Sequence, residues 1–129
     1  MKKRHVLLVL FLLLAAVAVL SAQDKKEKKE VKETTITGEI IDVKCYLTGM
    51  MGGKGEDHKE CAIECLKGGL PVGILEDKTE KVYTVVPKKG MSAGNSLAER
   101  SAQKVTLTGT LVEKGGTKLF VYTKVEEAK

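Results

Sequence analysis

The chain of 129 residues has no tryptophan, two phenylalanines and three tyrosines. Proteins that hold single-stranded nucleic acid stack bases on aromatic side chains, so this scarcity argues against nucleic acid as a partner. Cysteine is as scarce: Cys45, Cys61 and Cys65 are the only three, and all lie within one stretch, CYLTGMMGGKGEDHKECAIEC. Missing motifs exclude more. There is no C-x-x-C pair of the thioredoxin type and no C-x-x-C-H haem attachment site. The glycines of Gly49–Gly55 are not followed by the Walker pattern G-x-x-x-x-G-K-[ST], so they do not read as a phosphate cradle. No nucleophile–base–orienter constellation and no oxyanion device stands out, and the expectation is a protein that is not an enzyme.

Acidic residues are absent from the first 22 positions. There Lys2, Lys3 and Arg4 precede an apolar run from Val6 to Leu20, followed by the small pair Ser21-Ala22. This is the layout of a secretory signal peptide, residues 1–22. A spanning helix wants about 20 apolar residues, so no stable membrane span is expected after cleavage. No cysteine follows the run, which removes the usual bacterial lipoprotein attachment point. The expected location is the periplasm or the cell exterior. Without these residues, 19 of the 22 basic residues remain against all 17 acidic ones, a formal charge of +2. Such a charge is weak attraction for nucleic acid or anionic lipid. Residues 23–33, QDKKEKKEVKE, hold one apolar side chain among nine charged ones. They cannot bury enough surface to offset ordering entropy and read as a charged, disordered tether. Residues 34–129 remain for one domain with a single modest core.

Within that domain, TITGEIIDV (Thr35–Val43) and VTLTGTLVE (Val105–Glu113) alternate polar and aliphatic residues and predict strands. They also match each other as Thr-aliphatic-Thr-Gly-x-aliphatic-aliphatic-acid. Two copies do not make a repeat protein; they suggest two strands under similar demands, with Gly38 and Gly109 at bends or bulges. LPVGILED and KVYTVVP, separated by Asp77–Glu80, predict a hairpin, and Gly115-Gly116 predicts a second one ahead of Lys118–Val125. Ser92–Ala102 suits a short helix. The resulting fold class is mainly β: a small five-stranded barrel of the OB type with a short Cys/His-bearing helix inserted after the first strand. An open two-layer α+β sheet is the alternative.

The Cys segment carries the chemistry. Asp57 is placed to cap a helix with Glu60 as the capping-box acid, and Gly68-Gly69 followed by Pro71 ends it. That predicts a helix over Lys59–Lys67. At about 100° per residue, His58, Cys61 and Cys65 fall within an arc of about 60°. Cys45 reaches them from the end of the first strand. Cys45, His58, Cys61 and Cys65 are then a candidate set of four metal ligands, enough to close a tetrahedral zinc shell of the structural kind. Copper(I) is the alternative, with Met50 and Met51 as thioether candidates. Asp42 is either an acceptor supporting His58 or an ordinary strand-end acid.

A disulfide competes with the metal. In an oxidising compartment one bridge plus one unpaired thiol is natural, and Cys45–Cys61 or Cys45–Cys65 would contribute roughly 3 kcal/mol. A structural zinc contributes on the order of 10 kcal/mol. The odd cysteine and the in-phase His58 favour the metal; the compartment favours the bridge. Ala62, Ile63 and Leu66 occupy the opposite helix face as core, and Tyr46, Tyr83 and Tyr122 read as strand or strand-end aromatics.

GEIIDVKC (Gly38–Cys45), HKECAIECLKGG (His58–Gly69) and the later V-x-L-T-G-T-L strand together resemble a family of small exported bacterial domains. The resemblance spans most of residues 35–126. It implies an OB-like barrel with a Cys-rich insertion after its first strand, and it implies no activity. The GMMGGKGED connector between Cys45 and His58 is longer than the family pattern. Taken together, the expectation is an exported binding or structural domain with a Cys3His zinc site, whose partner is a protein or small molecule. The alternatives are a disulfide-stapled binding module with one free cysteine, or an envelope copper-binding or thiol-redox protein.

Overall fold

The computed structural model describes residues 32–90 and 92–128. The expected signal peptide and residues 23–31 of the expected tether lie outside the described residues. Five strands carry the domain: β1 (Thr34–Asp42), β2 (Val72–Glu76), β3 (Val82–Pro87), β4 (Lys104–Lys114) and β5 (Thr117–Glu127). They are ordered β1-β2-β3-β5-β4, and β4 pairs back with β1, so the sheet closes in a ring. Neighbours run antiparallel except β3 and β5, which are parallel. The mainly β architecture of the sequence reading is therefore present, and an open two-layer sheet is not.

Three short helices connect the strands. Two of them, α1 (Val43–Thr48) and α2 (Lys59–Lys67), lie between β1 and β2; α3 (Gly94–Leu97) lies between β3 and β4 and continues into a 3-10 turn, Ala98–Arg100. The α2 boundaries coincide with the expected ones. Its cap does not: the N-cap position is His58, with no side-chain cap bond, and Asp57 sits inside a preceding 3-10 turn, Glu56–His58. The reason is the left-handed approach through Gly55 (φ 78°), from which a tight turn forms first and supplies the His58 N–H with the Gly55 carbonyl.

Alternation decides which side chains fill the ring. Ile36 and Ile40 of β1 and Val105 and Leu107 of β4 point inward, joined by Ile74, Val85, Phe120 and Tyr122. The two matching sequence segments are direct neighbours: Thr35 stands opposite Thr108, Ile36 opposite Leu107 and Thr37 opposite Thr106. The Thr37 and Thr106 hydroxyls share a hydrogen bond at 2.8 Å. The likeness is thus a local two-fold between paired strands, each supplying the same alternation to one seam. Their glycines sit where backbones approach closely. A Cβ on Gly38 would meet the Leu75 carbonyl, and one on Gly109 the Val121 carbonyl. At Gly109 the β4–β5 register also shifts, the bulge expected for a curved sheet. Leu66 of α2, with Ala93, Leu97 and Ala98, joins the same core and ties the helical segment to the ring.

Candidate metal centre

β1 ends in three successive buried residues, Ile40, Ile41 and Asp42, which breaks its alternation. The cause is helical cover: α1 starts immediately after Asp42, and Val43 donates its N–H to the Pro71 carbonyl at the other end of the insertion. Asp42 caps α1. Its backbone is extended (φ −79°, ψ 117°) and Oδ1 accepts the N–H of Cys45 at 3.1 Å, the standard way to satisfy a free N–H in a first helical turn. Cys45 is thereby held at the third position of α1. Gly49 (φ 70°) ends that helix in the left-handed conformation.

The connector then folds back. Gly53 (φ 68°) is buried against α1: a Cβ there would stand 2.7 Å from the Cys45 carbonyl oxygen and 2.6 Å from the Tyr46 Cα. Two residues later, the Gly55 N–H donates to Glu39 Oε1 at 2.6 Å. The connector is therefore fastened to both α1 and β1 before α2 begins. At its far end α2 closes with Gly69 (φ 98°), as Leu70 N–H bonds the Cys65 carbonyl and Gly69 N–H bonds Leu66. This is the Schellman arrangement. Because Asp42 is paired with Val72 across β1 and β2, the start of α1 and the end of α2 are brought side by side.

The outcome is a cluster of three thiols. Cys45, Cys61 and Cys65 have sulfurs all within 4.8 Å of one another. Two sulfurs bound tetrahedrally to one zinc at ~2.3 Å stand ~3.8 Å apart, so small side-chain adjustments close this triangle on an ion. Cys45 is fully buried, and Cys61 and Cys65 are half-buried. All three are free thiols, with none at bonding distance from another. Burial, then the neighbouring Asp42 carboxylate, pushes the Cys45 thiol above its ordinary value. The same two causes push Cys65 up to about 12. Asp42 thus stands against Cys45 and Cys65. It is fully buried, and among the described residues its Oδ2 has no hydrogen-bond partner.

His58 is not a member of the thiol group. It is 1% exposed, neither ring nitrogen has a hydrogen-bond partner among the described residues, and it lines a narrow space between Glu39–Ile41, Lys54–Gly55 and Ala62. The helical-wheel expectation treats it as the first residue of a regular helix. It stands instead at the junction of a 3-10 turn and α2, with ψ −7°, where 100° per residue does not hold. Asp42 supports Cys45 and makes no hydrogen bond to His58. Met50 and Met51 are exposed on the connector.

Sequence reasoning missed α1. Its signals were present: Asp42 and Cys45 stand at cap and third helical position, and Gly49 supplies the stop. A separate cleft of about 480 Å³ is lined by Pro87, Lys88, Lys89, Ser96, Tyr122 and Thr123, and shares no residue with the thiol cluster. Compared with protein-family models, with curated proteins and with solved structures, the chain finds no match in any of the three.

Proposed function

We propose that this chain is an exported small domain of the OB type, whose Cys45, Cys61 and Cys65 hold a thiophilic metal ion, zinc(II) in the first place. The observation that carries the reading is the convergence of the three sulfurs within 4.8 Å from two separate helices. Three thiols drawn from positions 16 and 4 residues apart gain nothing from packing that one would not, whereas they match the soft donor set of zinc. The OB assignment is supported by the strand order, by the parallel β3–β5 pair, and by a helix placed between β3 and β4. Export rests on the N-terminal charge and apolar pattern.

In this reading the metal cross-links α1 to α2 within the long β1–β2 insertion. Its role is structural, and the molecule is a binding module rather than an enzyme. The cleft beside Lys88, Lys89 and Tyr122 is the natural place to seek a small-molecule or protein partner. Copper(I) is the second reading, favoured by a donor set of three sulfurs with no histidine among them and by the exposed Met50 and Met51 on the adjoining connector.

The test is metal content and thiol count on one sample of the full chain, exported and purified without chelator. One equivalent of zinc with three thiols released on denaturation supports the reading. One equivalent of copper selects the second. No metal and a single titratable thiol would mean a disulfide staple and would sink both.

A further inference from the structure

We infer that Asp42 supplies the fourth ligand of this centre through Oδ2, so that the shell is Cys3Asp rather than Cys3His. The inference rests on the reading of the three cysteines as metal ligands and deepens it. Asp42 is fully buried, and a buried carboxylate is stable only where a cation or a set of donors compensates it. One of its oxygens is satisfied: Oδ1 takes the Cys45 N–H at 3.1 Å. Among the described residues the other, Oδ2, has no partner, and no lysine or arginine forms an ion pair with Asp42. The carboxylate adjoins Cys45 and Cys65, raising both thiols. An oriented, buried carboxyl group with one oxygen unpartnered among the described residues therefore stands beside two corners of a soft-metal donor triangle.

Zinc accepts carboxylate oxygen at about 2.0–2.2 Å and closes a structural shell with four ligands. Capping fixes the rest. An N-cap side chain reaches the N–H three residues on, so a D-x-x-C sequence at a helix start delivers a carboxylate and a thiol to one place. The cap bond also locks the carboxylate, leaving Oδ2 as the atom free to bind. His58 is the rival fourth ligand: it too is buried and unpartnered among the described residues, and like Asp42 it lies outside the 4.8 Å sulfur group, but only Asp42 is hydrogen-bonded to a residue of that group.

The experiment titrates Co²⁺ and then Zn²⁺ into the reduced full chain and into Asp42→Asn, Asp42→His and His58→Leu. Thiolate-to-cobalt charge transfer reports the sulfurs, and the visible d–d bands report the fourth ligand. Asp42→Asn is expected to weaken zinc at least ~100-fold, beyond the 10–100-fold typical of a residue that only supports a ligand, with the d–d bands changed. Asp42→His is expected to recover most of the affinity with bands shifted toward a nitrogen-containing shell. His58→Leu is expected to leave both unchanged. Wild-type bands and affinity in Asp42→Asn, or their loss in His58→Leu, would overturn the assignment while leaving the cysteine centre in place. No charge transfer in the wild-type chain would overturn the centre itself.

Discussion

The backbone N–H of Cys45 donates to Oδ1 of Asp42 at 3.1 Å, across three residues and wholly out of water. That one bond joins the last residue of β1 to the first thiol of the centre. It sets where α1 begins, and through α1 the direction from which Cys45 meets Cys61 and Cys65. The same residue carries a cost in its unpartnered Oδ2. Asp42 therefore has two separable roles, a cap that stabilises the metal-free chain and a buried, unpartnered oxygen that burdens it.

These roles predict different outcomes for two substitutions in the metal-free, reduced protein. Serine at position 42 can still cap the Cys45 N–H and removes the orphaned oxygen; alanine removes both. Loss of an N-cap costs about 1 kcal/mol, up to about 2. Asp42→Ser is expected to be at least as stable as wild type in urea denaturation, and Asp42→Ala less stable than Asp42→Ser by about 1 kcal/mol. Equal stability of the two variants would show that the bond does not anchor α1.

Gly52 and Gly53 offer a matched pair. Both have left-handed φ, 78° and 68°, so alanine strains the backbone at either. Only Gly53 also lacks room, because its Cβ would press on Cys45 and Tyr46, whereas among the described residues nothing lies within 4 Å at Gly52. Gly52→Ala is expected to cost about 1 kcal/mol. Gly53→Ala is expected to cost clearly more, about 2–3 kcal/mol, within the range of strain combined with a steric clash. It should also weaken metal binding, since relief of the clash moves α1. Denaturation midpoints and zinc titration of the two variants check both statements.

Much of this was legible along the chain. Alternation placed the strands of both hairpins and the paired Thr-x-Thr-Gly segments, because period-two patterning is a local consequence of a half-buried sheet. The extent of α2 was legible because Gly68-Gly69 and Pro71 end a helix by backbone chemistry alone. The join between sheet and helices was not. Asp42 reads as the acid closing a strand, and only the β1–β2 pairing with Val72 shows that it lies under helical cover. That His58 falls outside the 4.8 Å sulfur group was equally hidden, since periodicity assumes a regular helix and the 3-10 turn at Glu56–His58 breaks it. The sulfur cluster itself follows from three cysteines in 21 residues; which other side chain joins them depends on tertiary structure.

His58 makes its own prediction. A buried imidazole with neither nitrogen bonded destabilises a fold, as an unsatisfied buried polar group costs about 1–3 kcal/mol. His58→Leu replaces it with an apolar side chain of comparable size in a pocket already lined by Ile40, Ile41 and Ala62. The expected outcome is unchanged or raised thermal stability, with and without zinc. A loss of stability seen only with zinc present would place His58 in the metal shell instead.

The raised thiols make metal-free stability depend on alkaline pH. Cys65 is pushed from the ordinary 9.0 to about 12, by burial first and then by Asp42. Below pH 9 the thiol is protonated in folded and unfolded chains alike, so its full contribution is present there. Between pH 9 and 12 the unfolded chain releases this proton and the folded chain keeps it. The unfolded state then binds fewer protons, and stability falls as pH rises. Urea midpoints from pH 8 to 11 should decline in the reduced wild-type chain and decline less in Cys65→Ser, the remainder including Cys45, which is raised by the same causes. Bound zinc should remove this part of the decline, because a thiolate ligand has already given up its proton. Parallel curves for wild type and Cys65→Ser without metal would mean that Asp42 and burial do not hold the thiol neutral.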